Sequence, residues 1–280
     1  MKKNLVVGLL LVLALVLAGC GSSGIRVEAD GSGDYATLEA AVANAPAGSV
    51  INLGPGVYRL SAPLTISQTL TLVGAGVDET EVVFDGEGRV LYFTGTGVLT
   101  AQDLTFRHEG EAPADVLDAD SGQVHLLRCR FSGAIVSQLS GLSAGIRLRG
   151  SASGSVRQCQ VTDNSNSGIL LEDSAQFTLE GNTTTGNEVV GIAFLDRTGG
   201  TARQNDCSQN GVGGILVAGA ATPLLEQNTC NDNGDVGIAY FEGGSGAARQ
   251  NECRGNGRYG LFIDPRSSPE VVNNDCETND

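Results

Sequence analysis

The sequence predicts an all-β protein, a parallel β-helix closed at its start by a short helix. Three observations lead there. First, a Gly-Ile or Gly-Leu pair recurs at Gly145, Gly168, Gly191, Gly214, Gly237 and Gly260, each 23 residues after the one before. A fixed period of this size marks a solenoid, propeller or array. Second, each repeat holds short apolar runs with period-two alternation, such as Ile215 and Val217, then small residues, then Leu224-Leu225. Those are strands, too short for paired helices. Third, the repeats align in columns. Three residues after each Gly stand Leu148, Leu171, Phe194, Val217, Tyr240 and Ile263; eleven after stand Val156, Leu179, Ala202, Leu225, Ala248 and Val271. Both columns are apolar throughout and should point inward. One repeat cannot bury its own apolar face, but coils stacked about 4.8 Å apart can.

Residues 1–19 read as a signal segment. Lys2 and Lys3 precede an apolar run from Leu5 to Leu17, which is short for a membrane span. Leu17-Ala18-Gly19-Cys20 resembles the lipobox of bacterial lipoproteins. That resemblance implies cleavage before Cys20, a lipid on its sulfur and a chain held outside the cytoplasm, at the outer membrane or cell surface. The membrane contact would be that lipid alone. Gly21 to Gly24 then form a flexible tether. Beyond the signal segment 15 Arg face 32 Asp plus Glu, a net of −17. Such a chain repels nucleic acid and anionic lipid, and it suits anionic polysaccharide poorly without bridging metal ions.

Residues 25–49 read as a strand, a Gly-rich turn and a helix. Thr37 is the expected N-cap, Leu38, Ala41, Val42 and Ala45 share one face, and Pro46 ends it. A solenoid must cover its open end, and this helix is the natural lid. Residues 50–280 form the solenoid, regular from residue 145. Before that, Val50 to Leu53, Leu64 to Ile66, Leu70 to Val73 and Val82 to Phe84 are short strands between Gly and Pro breaks. Val98 to Phe106, Val124 to Phe131 and Ser155 to Val161 align, and the coil between Cys129 and Cys159 carries seven extra residues after Ser132. The acidic stretch Glu109, Glu111, Asp115, Asp118, Asp120, bracketed by His108 and His125, reads as a solvated loop; calcium is the alternative, without the usual ligand order.

Two Asn columns, 182-205-228-251-274 and 164-187-210-233-256-279, should hold the turns. Cys207, Cys230, Cys253 and Cys276 continue a column occupied earlier by Phe106, Phe131, Val161 and Thr184. That favours core packing, with disulfides or a metal site as the alternatives. The sixth coil, begun at Gly260, stops at Asp280, two residues short of its period. An open solenoid end there would fray or pair with another copy.

The repeat Gly-Ile-x-Leu with its two Asn columns resembles the right-handed parallel β-helix repeats of the pectate-lyase-like superfamily. It is similar to the coils of carbohydrate-binding, sugar-hydrolase and NosD-like periplasmic proteins. The resemblance implies a right-handed, single-stranded β-helix. The segments Ala101 to Phe106 and Cys129 to Gly133 resemble pectin methylesterase, but its Gln-Asp-Thr is replaced by Ile135-Val136-Ser137, and its nucleophilic Asp falls near Asn166. Two carboxylates carry that chemistry as acid and nucleophile. No Gly-His-Gly phrase of polygalacturonases is present, and a lyase-like Arg266 is better explained as part of a turn.

Two and four residues after each Gly, side chains should face outward: Arg147 and Arg149, Leu170 and Glu172, Ala193 and Leu195, Leu216 and Ala218, Ala239 and Phe241, Phe262 and Asp264. Asp173, Asp196 and Glu242 flank this stripe. The resemblance places a saccharide groove on such a face. The candidate ligand-binding residues are Arg147, Arg149, Glu172, Asp173, Leu195, Asp196, Leu216, Phe241, Glu242 and Phe262. The expected function is an envelope lipoprotein that binds an extended polysaccharide or an envelope partner without catalysis, with no cofactor. A polysaccharide-degrading enzyme and a structural module are the alternatives.

Overall fold

A computed structural model describes residues 24–137, 142–277 and 279. The signal segment, Cys20 and most of its tether lie outside them. The chain winds as a right-handed parallel β-helix of about eleven turns. Three parallel sheets form its walls. The longest has eleven strands, from Ile25–Val27 to Glu270–Val272. A second has nine, from Leu64–Ile66 to Tyr259–Ile263, and contains every Gly-Ile pair. The third has five, from Gly56–Arg59 to Gln160–Thr162, and single bridges carry its line on from Thr183 to Asp275.

The register is the period of 23 made physical. Ile146 pairs with Ile169, Ile192, Ile215, Ile238 and Leu261 in turn. The repeat Gly has a packing cause. A Cβ on Gly214 would lie 2.6 Å from the Gly237 carbonyl oxygen and 2.7 Å from the Cys230 Cβ, and Gly237 meets the same pair one coil later, Gly260 O and Cys253 Cβ. No side chain fits.

Both Asn columns are continuous hydrogen-bonded ladders. Asn182 Nδ2 donates to Val156 O and to Asn205 Oδ1, each at 2.9 Å, and Asn205 repeats the pattern onto Leu179 O and Asn228 Oδ1. These amides are buried and bonded, which is the condition for tolerating polar groups in a dry turn. Cys159 stands at the head of this ladder, its N–H donating to Asn182 Oδ1. The other sulfur column, Cys207, Cys230 and Cys253, is fully buried, and all six described cysteines are free thiols. Phe106 and Phe131 stack ahead of it with ring centroids 5.4 Å apart.

The helix is Leu38–Asn44. Thr37 Oγ1 accepts from Ala40 N at 3.1 Å, and Leu38, Ala41, Val42 and Ala45 are buried against the first coils. At the other end Ile263 and Val271 are 40% and 43% exposed, while their counterparts in earlier coils are buried.

Two expectations need correction. The acidic stretch is a loop at Glu109 and Glu111 but not at Asp115 and Asp118. Ala114–Ala119 is a strand of the nine-stranded sheet, between Gly88–Phe93 and Ala144–Leu148. Its backbone is committed on both edges, so Asp115 and Asp118 stand on a sheet face, and Asp120 follows directly. Nor is the outward stripe uniformly open. Leu170, Ala193 and Ala239 are 1–2% exposed. Leu170 and Ala193 join Ala144 and Val190 in a second apolar cluster, packed against Leu142, Val189, Leu195 and Leu216.

Candidate functional site

The outer face of the nine-stranded sheet carries three columns. Pairing sets the first as Arg89, Asp115, then Ala144, Ser167, Val190, Gly213, Val236 and Tyr259. The second is Tyr92, Asp118, Arg147, Leu170, Ala193, Leu216, Ala239 and Phe262. The third contains Asp120, Arg149, Glu172, Leu195, Ala218, Phe241 and Asp264. The early coils are therefore charged and the late coils apolar.

At the charged end, Asp118 sits between two guanidiniums. Arg149 donates to it through Nε at 2.9 Å and Nη2 at 3.1 Å, and Arg89 Nη1 at 2.7 Å. Arg147 is bidentate to Glu172, through Nε at 2.6 Å and Nη2 at 3.2 Å, and its Nη1 lies 3.5 Å from Asp115 Oδ2. Arg89 also lies over the Tyr92 ring at 4.2 Å, and Tyr92 donates to Asp120. Burial works to raise the Asp120 carboxyl, and hydrogen bonds from Tyr92 and Ser121 more than offset it, so its pKa is lowered. Asp115 is the reverse case. Burial pushes its carboxyl up to about 6, against the Ala144 N–H and Arg147. Arg147 and Arg149 are the two cations among the candidate ligand-binding residues. Both are paired with carboxylates of their own sheet.

The flanking acids are also corrected in part. Asp173, Asp196 and Glu242 have φ of 59°, 57° and 55°, so they form the corner where the chain leaves the sheet. Asp173 Oδ2 accepts from Gly150 N at 2.8 Å, and Asp196 Oδ2 from Asp173 N at 2.9 Å. Those two carboxylates tie coil to coil. Asp264 does the same for Glu242 N, and hydrogen bonds from Ser267 first, then backbone N–H groups, hold its pKa down at about 2. Leu195 and Leu216 support the second apolar cluster.

At the apolar end the rings come together. Phe241 and Phe262 have centroids 5.0 Å apart, and Tyr259 lies 5.3 Å from Phe262. Phe241 is 37% and Tyr259 45% exposed. With Val236 they line a groove of about 230 Å³ flanked by the Asp235–Arg258 ion pair. Sequence reasoning found Phe241 and Phe262 but missed Tyr259. The residue before each repeat Gly also faces outward, because the ladder skips the Gly and breaks strict alternation there. A clue lay in the sequence: the position before each Gly reads Ala144, Ser167, Val190, Gly213, Val236 and Tyr259, which is not uniformly apolar as an inward column would be.

The family described as periplasmic copper-binding protein (NosD) matches residues 116–280. The chain belongs to this family. No curated protein matches the sequence. Among solved structures, the fold is shared with the A-module of mannuronan C-5 epimerase AlgE4 from Azotobacter vinelandii, at 18% identity and a TM-score of 0.70 over 84% of this chain and 70% of that one. Pectate lyase Pel9A has 15% identity and a TM-score of 0.64 over 92% and 80%. An alginate lyase from Paenibacillus sp. str. FPU-7 has 15% identity and a TM-score of 0.57 over 90% and 99%. At such identities the likeness is one of fold.

Among the described residues, the donors in this member of the NosD family do not fit copper. Imidazole and soft sulfur suit that metal. Both ring nitrogens of His108 face carbonyl oxygens, of Gly133 and Gly86, and His125 Nδ1 meets Ser155 Oγ. The sulfur column lies in the core, where burial raises the Cys230 thiol well above its ordinary value and disfavours the thiolate a metal needs. Among the described residues no three His, Cys, Asp or Glu side chains are grouped to hold a metal ion.

Proposed function

We propose that this protein is a cell-envelope β-helix that binds an extended, uncharged polysaccharide along the outer face of its late coils, without catalysis. The observation that carries this reading is the cluster of exposed Phe241 and Tyr259 with half-buried Phe262 on an otherwise flat parallel sheet. Sugar rings present C–H faces that pack on aromatic rings, and the groove's ion pair, Asp235 and Arg258, supplies hydroxyl partners at its edge. Six coils at about 4.8 Å each give a ladder about 29 Å long, which suits an extended chain. Charge supports an uncharged ligand. Fourteen of the fifteen arginines are ion-paired, and the fifteenth, Arg197, meets Ser174.

Binding assays over a panel of neutral and acidic polysaccharides test this. A neutral polymer should bind, and the double variant Phe241→Ala/Phe262→Ala should weaken it at least tenfold at nearly unchanged thermal stability. Equal binding by the double variant would overturn the site. Lipid anchoring through Cys20 belongs to the same proposal; Cys20→Ser should release the protein from membranes. A polysaccharide-modifying activity is favoured by one observation, the buried Asp115 carboxyl held near pH 6 beside Arg147. An assay for unsaturated or reducing ends over the same panel decides it.

A further inference from the structure

The charged end of the face holds a cleft that the ring platform does not explain. It encloses about 190 Å³ between the strand Ala114–Ala119 and the connection after Ser132 that carries the extra residues. Ala114 and Ile135 exchange both backbone hydrogen bonds, Ala114 N to Ile135 O at 3.0 Å and Ile135 N to Ala114 O at 2.9 Å. That pair clamps the rim.

Glu87, Asp115, Ser137, Ser143 and Arg147 bring polar side chains to the cleft. Asp115 Oδ1 accepts from Ala144 N at 2.8 Å, and its Oδ2 faces Arg147 Nη1. Arg147 spends Nε and Nη2 on Glu172, which leaves Nη1 toward Asp115 and the cleft. Ser143 is 2% exposed, and its Oγ has no hydrogen-bond partner. A buried hydroxyl left unsatisfied costs about 1–3 kcal/mol. Of the three buried polar side-chain atoms without a partner among the described residues, Ser143 Oγ, the Tyr240 hydroxyl and Arg249 Nε, Ser143 Oγ is the one that belongs to the lining of this cleft. Pro113, Ile135 and Leu142 supply the apolar part of the wall.

We propose that this cleft binds a single uncharged sugar ring. Hydroxyls would meet Asp115, Ser143 and Arg147 Nη1, while the ring's C–H face lies on Pro113, Ile135 and Leu142. Size limits the occupant to one ring, since pockets for larger ligands begin at roughly 300 Å³. Charge excludes a uronate. Glu87 and Asp115 line the cleft against one guanidinium already bidentate to Glu172. The site stands on its own geometry and does not depend on the ring platform.

Saturation-transfer NMR on the whole chain tests the assignment, with the methyl glycosides of glucose, galactose, mannose and N-acetylglucosamine, and glucuronate as the charged control. At least one neutral glycoside should show saturation transfer, and glucuronate should not. Ser143→Ala should weaken that signal at least fivefold. The variant is expected to fold, because the Oγ it removes makes no bond. Phe241→Ala/Phe262→Ala should leave the signal intact, which separates this site from the platform. No bound glycoside, glucuronate binding as well as the neutral sugars, a signal unchanged by Ser143→Ala, or a signal lost in the platform variant would each overturn the proposal.

Discussion

The early and late halves of one sheet face share backbone, register and period, yet they are opposite in character. Around Asp118 the outward side chains are acids and arginines that satisfy one another. Around Phe262 they are rings and aliphatic groups. The inward side does not change across the boundary, since Leu148 and Tyr240 are equally buried. A parallel β-helix fixes what faces in, and leaves the outer face free to be written coil by coil. In the charged half the writing is spent on internal pairing, and in the apolar half it is left open.

The largest expected effect breaks the charged half. Asp118→Ala removes a carboxylate only 3% exposed and leaves Arg89 and Arg149 without their shared partner. Removing one partner of a buried ion pair costs about 3–5 kcal/mol. Urea unfolding should show that loss; a loss below about 1 kcal/mol would mean the network is merely a solvated surface.

Asp115 gives a pH signature of up to about 3 kcal/mol, at roughly 1.36 kcal/mol for each tenfold change in proton affinity between the folded and unfolded states. Its folded pKa, about 6, lies above the ordinary 3.8, so the folded state holds the proton more tightly. That contribution is fully present below pH 3.8 and is lost as pH rises through 6. Asp115→Asn should therefore gain stability relative to the parent between pH 3.5 and pH 8. A constant difference across that range would place the carboxyl in solvent.

The apolar half should be nearly indifferent to truncation. Phe241→Ala should cost less than about 1.5 kcal/mol, against about 3–5 kcal/mol for buried Phe194→Ala. If the two costs are alike, the platform is core and the outward assignment fails. The smallest effect lies on the inward side of the same strand. Tyr240 is fully buried and its hydroxyl has no partner, so Tyr240→Phe should stabilise by about 1 kcal/mol. A destabilised variant would point to an internal water on that hydroxyl.

The period, the inward columns, the Asn turns, the packing of the sulfur column and the N-terminal helix were all legible along the chain. Each inward position meets the same neighbours in every coil, so the same residue types recur and can be read down a column. Only the tertiary structure decided the outer face. Arg147 pairs with Glu172 across 25 residues, and Arg149 with Asp118 across 31. The second of these partnerships depends on the irregular coils before residue 145, where no repeat marks Ala114–Ala119 as a strand. Tyr259 joins Phe262 because the ladder passes over the repeat Gly, and the Ser143 cleft exists because Ile135, in the connection after Ser132, pairs with Ala114. Pairing across coils of unequal length is a matter of distance in space, and spacing along the chain carries no trace of it.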